Sequence, residues 1–95
     1  MIVNNMLLKL KKHDDEGILE ALQKLMSMQG KIPHLKDIDV HGNIRRGPEA
    51  YDLSVTAKYN SMKDFESYLT HPVHVEVSGY IGGVVESVAA VTYEI

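Results

Sequence analysis

The sequence predicts an α+β protein whose elements follow the order strand, helix, strand, strand, helix, strand (βαββαβ). Three observations predict this class. The length of 95 residues fits a single domain. Two stretches carry apolar residues at helical spacing, and four others carry the alternation or apolar density of strands. We therefore expect residues 1–95 to form one α+β domain with a small core.

Composition limits the partners of this domain. The net charge is −3, and the chain contains no cysteine, so disulfides are excluded. The chain lacks the basic stripe that is typical of a nucleic-acid-binding protein. The longest apolar stretch, residues 81–85, is too short to span a membrane. The first residues lack the pattern of a signal peptide, and we expect a cytoplasmic protein with no membrane and no nucleic-acid partner.

The first two elements are a strand and a helix. Residues 2–10 are apolar on both parities apart from two asparagines, which predicts a strand covered on both faces for much of its length. Asp14 and Asp15 supply a helix N-cap and a negative first turn. Apolar residues then recur at helical spacing and predict a helix over 15–28, with Gly30 as the residue that ends it.

Two alternating stretches predict the central strands. Ile38 and Val40 alternate with polar residues over 35–42, and residues 51–59 alternate in the same way. The segment between them contains Arg45 and Arg46 and has no periodicity, so we expect a solvated loop. An antiparallel pair is the simplest arrangement of two strands joined by such a loop.

The second helical region is predicted to break in two. Ser61 caps the first piece, which presents Phe65, Tyr68 and Leu69 to the core. Pro72 interrupts it and begins a second piece, because proline is tolerated at the first helical position. We expect the Gly82-Gly83 pair to end that piece. Residues 84–95 then form the last strand.

This order is that of a ferredoxin-like fold, a four-stranded antiparallel sheet with both helices on one face. The other face must be solvated or covered by another molecule. We expect that outer face to carry apolar residues mixed with Ser54 and Thr56. A fully solvated face would carry more charged residues in the two terminal strands than this sequence has. The predicted outer apolar residues are Val3, Leu7, Val88, Ala90 and Val40 or its neighbours. This composition favours a sheet-to-sheet homodimer.

Several segments in order resemble one family. The residues are Leu8-Lys9-Leu10 in the first strand, Gly30-Lys31-Ile32-Pro33 before the second, Tyr51-Asp52-Leu53 at the third, Tyr68-Leu69-Thr70-His71-Pro72-Val73-His74 and the closing Val91-Thr92-Tyr93. The chain resembles the stress-responsive α/β-barrel domain family (Dabb) over nearly its whole length. The resemblance implies a ferredoxin-like protomer and a homodimer in which two sheets form a barrel.

The resemblance also implies where a site would lie. Most members have no established reaction, some plant members are stress proteins, and one plant branch is a polyketide cyclase with a pocket between sheet and helices. In that cyclase a tyrosine and a histidine match Tyr68 and His74 here. A first-strand histidine of the cyclase is matched by Asn4, which can hydrogen-bond a carbonyl but cannot act as a base.

The candidate residues each have a structural alternative. His74 is a candidate general base or a histidine hydrogen-bonded at a helix end. Tyr68 is a candidate orienting or protonating group, or an aromatic core residue with its hydroxyl at the rim. Asn4 lines a pocket or makes a structural hydrogen bond. His71 is a candidate ligand-binding residue or, the favoured interpretation, an N-cap.

A metal site at His71 and His74 lacks a third ligand of suitable spacing, so we expect no metal and no cofactor. His13, His34 and His41 are expected to be solvated. Two functions follow from these residues. The first is a non-catalytic homodimer that binds a small ligand between sheet and helices. The second is a small enzyme acting on a carbonyl or polyketide-like compound with His74 as base, and monooxygenase-like chemistry is a variant suggested by fold analogy alone.

Overall fold

The computed structural model describes residues 1–95, and its elements follow the predicted order. The sheet is antiparallel with the strand order β2-β3-β1-β4. The predicted break of the second helical region is present, so two helices follow β3. The elements are β1 (Ile2–Leu10), α1 (Asp15–Met26), β2 (Asp37–Gly42), β3 (Leu53–Tyr59), α2 (Met62–Leu69), α3 (Pro72–Val84) and β4 (Val85–Glu94).

Side chains just before each helix set its start. The Asp14 carboxylate accepts from the Gly17 N–H, and the Ser61 hydroxyl accepts from the Asp64 N–H. His71 does the same for α3, because its ring nitrogen accepts from the Val73 N–H. These contacts satisfy backbone donors that have no partner within the helix. All three starts were predicted from local residue type.

Helix ends were predicted less well. α1 ends at Met26, and three residues separate it from the turn residue Gly30, which has a φ of +80°. A positive φ is costly for residues with a Cβ, so glycine suits this turn. α3 continues through Gly82 and Gly83 to Val84. Two glycines lower helix propensity by about 1 kcal/mol each but do not forbid a helix, and the packing of Ile81 on the core keeps this turn helical.

The core lies between the sheet and the helices. It is a cluster of 18 buried residues that joins the even-numbered side chains of β1 to the odd-numbered side chains of β3. Val77 and Ile81 close it from α3, and Tyr68, as predicted, from α2. Leu69, which was predicted to face the core, is exposed instead. The short α2 turns only one narrow stripe inward, and Leu69 lies beside that stripe.

The outer face of the sheet, the face away from the helices, differs from the prediction in β4. Val88 is paired with Leu8 and Ala90 with Met6, so both lie on the helix side. Val40 is a core residue as well. Alternation within one strand does not reveal which parity faces outward, since this depends on pairing with its neighbour. The outer apolar residues are Val3 and Leu7 of β1 and Ala89, Val91 and Tyr93 of β4.

β4 is an edge strand that the helices cover poorly. Val88 is 48% exposed although it lies on the helix side, and Val91 on the outer face is 63% exposed. α1 lies over β2 and α2 over β3, at the other side of the sheet. The molecule therefore leaves apolar side chains open on both faces of its last strand. None of its helices has the length and apolar character needed to cross a membrane.

Candidate functional site

The break between α2 and α3 brings Tyr68 and His74 together. Their ring centroids lie 4.2 Å apart at a tilt of 44°. Tyr68 also packs on Tyr59, with centroids 4.9 Å apart, and on Phe65. We call these four side chains and Met28 the Tyr68 cluster. Pro72 redirects the chain so that a side chain from the end of α2 meets one from the start of α3.

The hydroxyl of Tyr68 points into the protein. It lies 3.8 Å from the Met28 sulfur, and the residue is buried. Burial raises the pKa of Tyr68, while the Tyr59 hydroxyl nearby acts in the opposite direction. Burial also raises the pKa of Tyr59, and the proximity of Tyr68 adds to that rise. Both phenols are therefore neutral near pH 7, and Tyr68 can serve as a hydrogen-bond donor rather than a base.

His74 is held in a defined orientation. Its Nδ1 lies 3.0 Å from the carbonyl oxygen of Leu69, which only accepts, so Nδ1–H is the donor in the neutral ring. This tautomer leaves Nε2 with a free lone pair. His71 has a different part, since its Nδ1 accepts from the Val73 N–H at 3.2 Å. Both histidines therefore use Nδ1 for a hydrogen bond to the backbone, His74 as the donor and His71 as the acceptor.

Asn4 lies on the helix side of the central strand β1, opposite Ala57 of β3 and Thr92 of β4. Its Oδ1 is buried and has no hydrogen-bond partner. The structure records no hydrogen bond from Asn4 to Tyr68 or His74, and none of the five principal cavities is lined by any of the three. The structure therefore brings Tyr68 and His74 into contact, whereas Asn4 has neither the structural hydrogen bond nor a place in the lining of these cavities, the two alternatives expected for it.

The largest cavity lies elsewhere, at the end of the sheet near the start of α1. Its volume is about 650 Å³, and nine of its ten lining residues are not apolar. The loop that joins β2 to β3 forms one wall, and the ends of β1 and β4 form another. The lining residues are Lys9, His13, Asp14, Asp15, Arg46, Gly47, Pro48, Ala50, Asp52 and Glu86.

Asp52 organises this cavity. Only 5% exposed, it is the one buried charged residue. Its Oδ2 accepts from the Leu10 N–H at 2.7 Å and lies 3.2 Å from His13 Nδ1. A carboxylate accepts hydrogen bonds and does not donate them, so the His13 Nδ1–H is the donor. Asp52 therefore ties the end of β1 to the segment that leads into α1.

Arg46 closes the same group. Its Nη2 lies 2.6 Å from Asp15 Oδ1, and its Nη1 lies 3.7 Å from Asp52 Oδ1. We call Asp52, His13, Arg46 and Asp15 the Asp52 cluster. His13 and Arg46 are half exposed, as expected of solvated side chains, but each also contacts Asp52, His13 through a hydrogen bond and Arg46 through an ion pair. The available signal was Asp52 itself, because a carboxylate beside a buried strand requires partners.

Comparison with known proteins agrees with this architecture. A ferredoxin-like sheet with helices on one face defines the class as a small α+β protein of βαββαβ order. The family model described as Stress Responsive A/B Barrel Domain matches residues 2–95. The chain therefore belongs to the Dabb family, as its motifs predicted. No functionally curated protein matches the sequence.

Solved structures share the fold over the whole chain. A dimeric protein of unknown function with a ferredoxin-like fold from Bacteroides fragilis is 25% identical, with 99% of this chain and 95% of that chain covered and a TM-score of 0.81. A dimeric ferredoxin-like protein of unknown function from Thermobifida fusca is 20% identical, with coverages of 99% and 90% and a TM-score of 0.85.

A third similar structure is a hydroxynitrile lyase from Passiflora edulis. It is 15% identical, with 99% of this chain and 92% of that chain covered and a TM-score of 0.84. At this identity the similarity shows the fold alone. The same fold therefore occurs in a named enzyme and in proteins of unknown function, so a function must be argued from the residues of this chain.

Proposed function

We propose that the protein functions as a homodimer that forms through the outer face of its sheet. The observation that carries the proposal is the apolar patch of Leu7, Val91 and Tyr93, which are 43%, 63% and 41% exposed. These residues lie on adjacent strands and form one continuous surface. The Bacteroides fragilis structure, 25% identical, is described as dimeric.

Physical chemistry supports a dimer of this kind. Burying such partly exposed side chains contributes about 1 kcal/mol each. In a symmetric dimer each residue is buried once in each protomer, so every contribution counts twice. Some polar side chains of this face already have partners within the sheet: Thr56 Oγ1 donates to Asn5 Oδ1 at 2.7 Å, and Asn5 Nδ2 donates to Tyr93 Oη at 3.1 Å. A second sheet can cover this face without breaking these two hydrogen bonds.

The test is Val91→Asp, with Val75→Asp as the matched control. Both valines are exposed, but Val75 lies on α3, away from the outer face. We expect the wild type and Val75→Asp to sediment as dimers at micromolar concentration and Val91→Asp to sediment as a folded monomer. A wild-type monomer, or a Val91→Asp dimer of unchanged affinity, contradicts the proposal.

We further propose that this dimer binds a small molecule between sheet and helices. The supporting observation is the buried Asn4 Oδ1, which lacks a donor. An unsatisfied buried acceptor costs about 1–3 kcal/mol, and a ligand with a hydroxyl group would supply the missing hydrogen bond. Binding requires the helices to move away from the sheet, since none of the five principal cavities reaches Asn4.

A calorimetric titration with simple phenols, beginning with resorcinol, tests this binding. Asn4→Ala should weaken it about tenfold, because one buried hydrogen bond is lost. Asn60→Ala is the control, as Asn60 is exposed just before α2. Equal affinity in Asn4→Ala and the wild type, or no heat of binding with any phenol, rejects Asn4 as the ligand contact.

One observation favours a catalytic alternative in which His74 is a general base for a carbonyl or polyketide-like compound. The hydrogen bond to Leu69 leaves Nε2 unprotonated in the neutral ring. A base of this kind would accelerate exchange of the α-protons of acetone in deuterium oxide, which NMR follows directly. General-base catalysis contributes about 10²–10⁴-fold, so His74→Gln should abolish the acceleration and His34→Gln should keep it. Equal rates in the presence and absence of protein exclude this function.

A further inference from the structure

The cavity of about 650 Å³ around the Asp52 cluster is not lined by Asn4, Tyr68 or His74. We propose that it is a binding site for a small primary ammonium compound, which donates hydrogen bonds to His13 Nε2 and to the Glu86 carboxylate. Its lining includes none of the apolar patch residues Leu7, Val91 and Tyr93.

The first support is the fixed tautomer of His13. Asp52 Oδ2 engages Nδ1–H at 3.2 Å, and the Leu10 N–H at 2.7 Å holds the same oxygen in place. In the neutral ring the lone pair is therefore on Nε2, on the opposite side of the imidazole from Asp52. His13 lines the cavity and its side chain is 51% exposed, so Nε2 is an acceptor that a ligand can reach.

The second support is the balance between engaged and free groups. Arg46 is occupied by Asp15 and Asp52. Asp14 caps α1 through the Gly17 N–H. The Lys9 ammonium donates to the Pro48 carbonyl at 3.0 Å. Glu86 lines the cavity and is exposed, and the structure pairs it with no cation.

The third support is charge. Four carboxylates line the cavity against two permanently charged cations, Lys9 and Arg46. An anion is therefore disfavoured, and a cation is attracted. His13 Nε2 and the Glu86 carboxylate, which have no partner in the structure, both accept hydrogen bonds. A primary ammonium carries three donors and one positive charge, which matches them, whereas no three ligating side chains converge to hold a metal ion.

The experiment is an amide NMR titration of the full chain at pH 8 with three probes. Ethylammonium chloride has the charge and the donors, tetramethylammonium chloride has the charge without donors, and sodium acetate has the opposite charge. Ethylammonium has three non-hydrogen atoms, which limits its Kd to about 1 mM at best. We expect saturable shifts at His13, Gly47 and Glu86 with ethylammonium only.

Two variants identify the acceptors. Glu86→Gln should weaken ethylammonium binding about tenfold, because a hydrogen bond to a charged acceptor becomes neutral. His13→Leu should also weaken ethylammonium binding. The control Glu66→Gln, a surface change on α2, should leave the binding unchanged. Unchanged binding in Glu86→Gln, equal shifts with tetramethylammonium, or saturation by acetate alone would overturn the proposal. Folding of each variant is checked in the same amide spectrum.

Discussion

The two histidine-containing clusters of this protein are built in opposite ways. In the Tyr68 cluster, His74 is fixed by the carbonyl of Leu69, five residues earlier in the chain. In the Asp52 cluster, His13 is fixed by a carboxylate 39 residues later. Both arrangements place the proton on Nδ1 and leave Nε2 free. The same tautomer of an imidazole can therefore be set by local helix geometry or by a long-range contact.

The two clusters also differ in what they do for the fold. The Tyr68 cluster joins α2 to its neighbouring helix and to β3 mainly through ring packing. The Asp52 cluster joins the end of β1, the loop after β2 and the start of α1 through polar contacts. Buried polar groups are costly when one partner is lost, so the Asp52 cluster should be the more sensitive of the two to single substitutions.

The largest expected effect is therefore at Asp52. Asp52→Ala leaves the Leu10 N–H without its acceptor and Arg46 without one of its two carboxylates. We expect the free energy of unfolding to fall by about 3 kcal/mol, measured by urea denaturation at one fixed protein concentration. Glu66→Gln, exposed on α2, should change it by less than about 0.5 kcal/mol. If Asp52→Ala lowers the free energy of unfolding no more than the control does, the Asp52 cluster is not important for stability.

An alkaline pH should weaken the Tyr68 cluster selectively. Burial raises the pKa of Tyr59 and Tyr68 in the folded state above the ordinary value of 10.0. The folded protein thus holds protons that the unfolded chain releases, and its stability is complete below about pH 10 and falls as the pH rises further. The loss is up to about 1.4 kcal/mol per pH unit for each tyrosine.

Urea midpoints measured across this alkaline range, with tyrosinate absorbance followed in parallel, check this behaviour. Tyr59→Phe should reduce the slope of stability against pH, since one titrating group is removed. Tyr51→Phe is the control, because Tyr51 is not among the buried residues. If the absorbance shows that all five tyrosines ionise in the folded protein near pH 10 without loss of stability, Tyr59 and Tyr68 are not shielded from solvent.

A smaller effect is expected at the helix start beside the Tyr68 cluster. His71→Ala removes the acceptor for the Val73 N–H, and loss of an N-cap typically costs about 1 kcal/mol. His71→Asn should restore most of that stability, because asparagine caps helices well. Thermal unfolding of the two variants under the same conditions provides the measurement. Equal destabilisation by alanine and asparagine would show that His71 contributes through packing and not through the cap.

Much of the fold could be predicted because its determinants are local. The N-caps at Asp14, Ser61 and His71 each act within three residues. Pro72 could be placed at the first turn of a helix from its chemistry alone. Tyr68 and His74 lie on either side of that break and were singled out through the family resemblance, but their ring contact was seen only in the structure. Family membership agreed with motifs spread along the chain.

Other features required the tertiary structure. The parity of β4 is a matter of register, so only pairing with β1 showed that Val91 and Tyr93 lie on the outer face while Val88 lies on the helix side. The continuation of α3 through Gly82 depended on core packing rather than propensity. The order of the elements, their capped starts and the family could thus be predicted from the sequence alone.

The contacts among the polar residues depend on the tertiary structure. His13 is 33 residues from Arg46 and 39 from Asp52 along the chain, and no periodic pattern connects the three. Their contact arises because β1 and β3 pair antiparallel, which brings the end of one strand to the beginning of the other. Local sequence encodes helices and strands through interactions a few residues long. A long-range polar cluster exists only once the sheet has set its register.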